Sequence, residues 1–300
     1  MSSDIKASII IPNLNSPIID KTINSLIEQD TDINFEIIVV GMDKFNLIQS
    51  DINQVKFIKT KKPTPPAIAR NMGASIAKGD FLFFIDADCI ASPEWINNHL
   101  QVHQVVNRLS VVGGGVVFPN DNYWTLSDNI STFHEFMTHL PKQEKKMLPS
   151  INLSIPKDIW DLTAGFNENY PYPAGEDSEF TLKIHTMKYP IIFEPDATVV
   201  HLPNRNKFID LIRHAYRFGQ YSIKSNDVYW DILFVPFPLR HWISALILSP
   251  MLAAYVLMKI IAYEKLPFRY WHTLPTIYLL KIIWCFGFAS QLKSHKDLLS

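Results

Sequence analysis

Three hundred residues, 47% hydrophobic and 12% aromatic, suffice for one large core or a core with an appendage, and exclude a disordered chain. The two cysteines, Cys89 and Cys285, argue against a disulfide framework, and no zinc-like Cys/His spacing, RNA-binding signature or internal repeat occurs. The net charge of −1 conceals a division: residues 1–200 carry 24 acidic against 16 basic side chains, a balance of −8, whereas residues 201–300 carry 5 against 12, a balance of +7, and a basic apolar tail points to an anionic membrane surface rather than to nucleic acid.

In chain order, the N-terminal MSSDIKASIIIP has too short an apolar run for a signal peptide. Its Ala7 to Ile11 reads as a strand stopped by Pro12-Asn13-Leu14-Asn15. Residues 18–29 read as a helix, Glu36 to Val40 as a second buried strand ending at Gly41, and Val55 to Ile58 as a short third. Pro63, Pro65 and Pro66 make a stiff loop before a helix over Ala67 to Lys78. The apolar run Phe81 to Ile85 lacks period-two alternation, which suits a strand covered on both faces. Alternating strands and helices imply a parallel, doubly wound α/β sheet.

That strand runs into Asp86-Ala87-Asp88, and Ser92-Pro93-Glu94-Trp95 reads as a helix start with Ser92 as N-cap. The two carboxylates therefore lie beyond the carboxyl end of a central strand, the edge where open α/β sheets bind ligands. Close carboxylates repel each other, a divalent cation removes the repulsion, and hard oxygen ligands suit Mg²⁺ or Mn²⁺. The alternative is a turn cap at Asp88 and a solvated strand end at Asp86.

Val111 to Phe118 reads as a strand whose Gly113-Gly114-Gly115 permits a bulge or close backbone approach. Residues 119–149 read as irregular, Lys157 to Leu162 as a helix, and Ile191 to Phe193 and Thr198 to Val200 as short strands. Glu176 and Asp177 fall where a helix begins, which suits either capping or a general base at the rim of a pocket. No G-x-G-x-x-G follows the first strand and no P-loop motif occurs. Residues 207–222 form an amphipathic helix with Arg213 and Arg217 on its polar face. His241 to Met258 is an 18-residue run without Asp, Glu, Lys or Arg, the minimum for a membrane span, and 273–292 is a second apolar stretch interrupted by Lys281. A buried helical pair is the alternative to membrane association. The expected division is 1–226 for the catalytic domain and 227–300 for an apolar, basic, membrane-associated helical region.

Pro12-Asn13-Leu14-Asn15, Ala69-Arg70-Asn71-x-Gly73, Asp86-x-Asp88, Asn152 with Gly165-Phe166-x-Glu168, and Gly175-Glu176-Asp177 occur in an order that resembles family 2 glycosyltransferases of the GT-A fold, over roughly residues 6–200. The resemblance implies a Rossmann-like domain with a mostly parallel central sheet and a nucleotide-diphosphate-sugar donor. It places Pro12, Asn15, Asp43, Arg70, Asn71, Asp86 and Asn152 at the nucleotide sugar. It places Asp88, Asp86 and His201 at a cation, and Asp177, with Glu176 as its rival, at the catalytic base. Direct displacement with one base is expected to invert the anomeric carbon, and the membrane-associated tail suggests a lipid-linked or nascent polysaccharide acceptor, with the catalytic domain expected on the cytoplasmic side. Two features depart from the family pattern. Paired acids do not follow the second strand, so the acid that reads the base is either shifted to Asp43 or missing, and Leu14 stands where relatives often carry an aromatic residue. The competing readings are a catalytically inactive relative that acts as a scaffold or sugar-binding protein, and a nucleotidyltransferase, whose basic glycine-rich loop is missing.

Overall fold

The computed structural model describes residues 5–49, 52–106, 109–222 and 227–299. The chain divides into two compact units, Met1–Val117 with Phe136–Leu202 and Phe118–Glu135 with Pro203–Ser300. The boundary expected at residue 226 lies outside the described residues. The compact units are cut elsewhere: residues 118–135 and 203–222 group with the apolar C-terminal helices.

The elements run β1 (Ala7–Leu14), α1 (Ile19–Ile27), β2 (Phe35–Met42), β3 (Val55–Lys59), α2 (Pro66–Ile76), β4 (Phe81–Ile85), β5 (Cys89–Ala91), α3 (Trp95–Val105) and β6 (Val111–Val117). Helix α4 (Tyr123–Phe133) belongs to the second unit. The first unit resumes with β7 (Gln143–Glu144), β8 (Asn152–Pro156), α5 (Lys157–Asp161), α6 (Glu176–Thr186) and β9 (Ile191–His201). The rest of the second unit holds α7 (Phe208–Gln220), α8 (Asp227–Ile232), α9 (Trp242–Ile247), α10 (Ser249–Ala262) and α11 (Leu274–Leu299).

The first unit is built on one sheet in the order β3-β2-β1-β4-β8-β6-β9-β5, with β7 added along β9. It is parallel through β3-β2-β1-β4, as the alternating pattern predicts, and mixed beyond, because β8 runs antiparallel to both β4 and β6. Ile9, Ile10 and Ile11 of β1, Ile37 to Val40 of β2 and Leu82 to Ile85 of β4 are fully buried, which explains their unbroken apolar runs. Each such side chain stabilises the fold by roughly 1.5–3 kcal/mol.

Three local expectations are corrected. Helix α3 begins only at Trp95, with Glu94 rather than Ser92 at the cap position and no side-chain cap; the Ser92 amide instead donates to the Thr198 carbonyl and continues the pairing of β5 with β9. The two short strands expected at 191–200 are one, β9. Its register against β6 shifts between Gly114 and Val116, and a Cβ at Gly114 would lie 1.9 Å from the Ala197 carbonyl oxygen, so the triple glycine accommodates the irregularity. Part of the segment expected to be irregular is α4, capped by the Asn122 side chain, which accepts from the Trp124 and Thr125 amides.

In the second unit, the uncharged run from His241 to Met258 is not one rod. It is broken at Leu248 between the six-residue α9 and the 14-residue α10, where Pro250 in the first turn lacks the N–H that would continue the helix. The helix long and apolar enough to cross a membrane, the only one among the described residues, spans Phe268–Ser294. Its core, α11, packs on α7 through reciprocal glycines: a Cβ at Gly287 would lie 1.9 Å from the Tyr216 carbonyl oxygen, and one at Gly219 would lie 2.0 Å from that of Trp284. The amphipathic helix expected at 207–222 is α7; it buries Leu211, Ala215 and Gly219 and exposes Arg213 and Arg217.

Candidate active site

The loops after β1, β2 and β4 share one edge of the first unit, since these strands run parallel. Asn15 takes a left-handed φ of 57°, donates its amide to the Met42 carbonyl and accepts from the Lys44 amide through Oδ1 at 2.8 Å. Asn13 donates to the same Met42 carbonyl and accepts from the Ser16 amide. Gly41, at φ 139°, would place a Cβ 1.9 Å from the Asn13 carbonyl oxygen, so only glycine lets the two loops approach. Asp43 is buried in this lacing. Its Oδ2 accepts from the Ile48 amide at 2.8 Å, and its Oδ1 has no hydrogen-bond partner. Pro12 lies in β1 opposite Val40, and Leu14 is exposed at the strand end.

The loop between β4 and β5 is pinned at its centre. The Ala87 carbonyl accepts from Ser16 Oγ at 2.7 Å and Thr22 Oγ1 at 3.1 Å. That pinning fixes Asp86 and Asp88, each about one-third exposed, on separate partners. The β5–β9 register pairs Cys89 with His201 and brings His201 Nε2 to 3.7 Å from Asp88 Oδ1. Asp88, Cys89 and His201 offer ligand atoms within 4.8 Å of one another. Burial, reinforced by Asp88 and Asp86, holds the Cys89 thiol well above its ordinary value.

Asp86 points elsewhere. Its Oδ1 accepts from Arg70 Nη2 at 2.8 Å, and Arg70 Nη1 donates to Glu176 Oε1 at 2.8 Å. Arg70 is buried; burial works against its charge, but Asp86 and then Glu176 outweigh this and its pKa is raised. One guanidinium thus ties the β4 loop to the start of α6, using its two terminal nitrogens for two carboxylates. Helix α6 starts at Glu176 because Gly175 adopts φ 87°, and that turn sends Glu176 inward and leaves Asp177 at the rim. Asp177 Oδ2 accepts from the Ser150 amide at 3.0 Å, and its Oδ1 accepts from the Ser178 amide at 2.7 Å. Burial pushes the Glu176 carboxyl up to about 7; Asp177 pushes the same way, and Arg70 pulls it down.

This carboxyl makes a testable pH signature. The folded chain holds the Glu176 proton to about pH 7 and the unfolded chain only to about 4.5. Between those values the folded state binds more protons, so its contribution to stability is lost as pH rises. His99 and His103, pushed by burial down to about 4 and about 3, act in the opposite direction below pH 6.5. The expected result is therefore a difference: Glu176→Gln gains on the order of 1–3 kcal/mol relative to the parent chain from pH 4.5 to 7. Paired melting curves across that range measure it, and a constant gap between the two proteins contradicts it.

Two residues expected at the nucleotide sugar are committed elsewhere. Asn152 is buried: its Oδ1 accepts from Trp95 Nε1 and His99 Nε2, and its Nδ2 donates to the Gly115 and Ala197 carbonyls. It ties α3 to β6 and β9, with no polar atom left for a ligand. Asn71 bonds both the amide and the carbonyl of Phe166 and donates to Glu168, so it braces the loop before α6. The Arg70 bridge and the nearness of Cys89 were not legible in the sequence. A motif marks positions in the chain, and these contacts depend on strand register.

A mixed α/β sheet with carboxylates beyond its parallel strand ends and a further acidic pair at a helix start defines a GT-A glycosyltransferase. The chain belongs to glycosyl transferase family 2, whose model matches residues 8–166. It is 26% identical over 249 residues to the UDP-Glc:alpha-D-GlcNAc-diphosphoundecaprenol beta-1,3-glucosyltransferase WfgD of Escherichia coli, covering 79% of this chain and 89% of that one. It is 28% identical to the succinoglycan biosynthesis protein ExoM of Rhizobium meliloti over 51% of this chain and 50% of that one. It is also 31% identical to the glycosyltransferase YfnE of Bacillus subtilis over 36% of this chain and 29% of that one, so it spans less than a third of YfnE and half of ExoM. Among solved structures, the mannosyltransferase of Pyrobaculum calidifontis in complex with GDP-Man and Mn²⁺ shares the fold at 17% identity, with a TM-score of 0.61 over 94% of this chain and 86% of that one.

Proposed function

We propose that the protein transfers a sugar, with inversion and with a divalent cation, from a nucleotide-diphosphate sugar to an acceptor hydroxyl on a lipid-linked or growing glycan. The observation that carries this reading is the convergence of Asp88 with His201, and of Asp86 with Glu176 through Arg70, around the strand ends. The orphaned Oδ1 of buried Asp43 supports a place for a base N–H beside the loops after β1 and β2.

Asp88 and His201 would hold the cation. A carboxylate with an imidazole suits Mn²⁺ better than Mg²⁺, which prefers oxygen alone. The bound cation supplies Lewis-acid stabilisation of the charge on the departing diphosphate. Asp177 takes the acceptor proton during attack, Arg70 orients Asp86 through the 2.8 Å contact, and Glu176 fixes Arg70. A single base and direct displacement invert the anomeric centre. WfgD, a relative, acts on a diphosphoundecaprenol-linked sugar, and the basic apolar C-terminal region supports such an acceptor and a catalytic unit on the cytoplasmic face.

Chelation tests the metal reading. Excess chelator is expected to abolish both transfer and the thermal stabilisation by nucleotide sugar, and Asp88→Asn is expected to weaken donor binding roughly 10- to 100-fold in Mn²⁺. Full turnover in chelator, or unchanged donor affinity in Asp88→Asn, refutes the assignment. Screening UDP- and GDP-sugars by thermal shift identifies the donor.

A further inference from the structure

We infer that the second unit docks in the plane of an anionic bilayer through α10 and the turn that follows it, without crossing the membrane. On α10, Met251, Tyr255 and Met258 recur at helical spacing and are 70, 61 and 61% exposed; Ile247 at the end of α9 is 71% exposed, and Tyr263 and Phe268 beyond α10 are 81 and 80% exposed. An apolar face of this size does not belong to a monomer in water. Helix α10 is nearly apolar all round, with Lys259 its one charged residue, yet its 14 residues reach only about 21 Å, short of a hydrocarbon core of about 30 Å.

The charge around that face selects the partner. From Ile232 to Lys296 the only acidic residue is Glu264, which is buried. Lys265, between the protruding aromatics Tyr263 and Phe268, and Arg269, directly after Phe268, are exposed. Aromatic and basic residues side by side suit the headgroup layer, where rings sit at the boundary and cations meet anionic lipid.

Helix α11, long enough to span, is the unit's own core. Lys281, at the middle of the Phe268–Ser294 span, donates to the Ser131 carbonyl of α4. Its Gly287 is pressed against α7, whose exposed Arg213 and Arg217 would enter hydrocarbon if α11 crossed a bilayer. Helix α7 therefore keeps α11 out of the membrane and leaves α10 as the face that meets it.

The proposal rests on the membrane part of the proposed function and is tested apart from catalysis. Purified full-length protein is mixed at low salt with vesicles of phosphatidylcholine, with or without phosphatidylglycerol. It is expected to sediment with the mixed vesicles and to be stripped by alkaline carbonate. Met251→Glu with Met258→Glu is expected to lower partitioning at least about ten-fold. Lys265→Gln with Arg269→Gln is expected to lower it roughly 30-fold at low salt and much less at high salt. Circular dichroism confirms that both variants fold, and nucleotide-sugar turnover in detergent is recorded separately. Retention through carbonate, parent-like binding by the Met251/Met258 variant, or a dimer broken by that variant in a protein that ignores vesicles overturns the proposal. A chain that binds vesicles as expected but turns over no nucleotide sugar upholds the docking surface and refutes only the enzymatic reading.

Discussion

Asp177→Asn is expected to lower kcat by roughly 10²–10⁴, the range associated with loss of a general base, with little change in donor affinity. Asp177 sits in the first turn of α6, partly exposed, with one carboxylate oxygen on the Ser150 amide and the other on that of Ser178. Asn keeps the volume and removes the basicity. It also turns one acceptor into a donor facing an amide, which costs the fold about 1 kcal/mol. A melting curve separates that cost from the kinetic loss. Glu176→Gln is the control, because Glu176 is adjacent, has a carboxyl near 7, and is locked to Arg70. If Glu176→Gln loses kcat while Asp177→Asn keeps it, the base is Glu176.

Arg70→Met is expected to destabilise the chain by about 3–5 kcal/mol and to abolish transfer. The substitution strips the partner from Glu176, whose side chain is only 4% exposed, and from Asp86 at 32%. Most of the loss belongs to Glu176, since solvent screens the Asp86 pair. Its size should depend on pH. With Arg70 gone, Glu176 can escape its isolation by taking a proton, so the deficit is smaller at pH 6 than at pH 8. Arg70→Lys sharpens the test, because one ammonium on a flexible stem does not reproduce the two-pronged contact. A denaturant midpoint for Arg70→Met within about 0.5 kcal/mol of the parent at pH 8 would contradict the bridge.

Some of this was legible in residues alone. Runs such as Phe81 to Ile85 and Ile37 to Val40 announce strands buried on both faces, because four or five apolar residues without alternation, bounded by turn residues, suit a covered strand. Asp86, Asp88, Glu176 and Asp177 stand out because carboxylates at such boundaries need a reason. Local signals serve less well where two distant segments must meet. Nothing near Asn152 announces that Trp95, His99, Gly115 and Ala197 will consume its polar atoms. The uncharged run from His241 to Met258 has the length of a span, but Pro250 breaks it, and the one long apolar helix among the described residues is held by α7 through Gly219 and Gly287.

The sequence by itself determined the family, the carboxylates of the candidate site and the basic, apolar character of the last third, because composition and motif order are properties of the chain. Only the tertiary structure decided which carboxylate meets which partner. Asp88 faces His201 because β5 pairs with β9 in a register that sets Cys89 beside His201, and Asp86 is drawn instead to the guanidinium that also holds Glu176, 106 positions from Arg70 in the chain. Strand register and the reach of one planar side chain join residues that no local spacing connects.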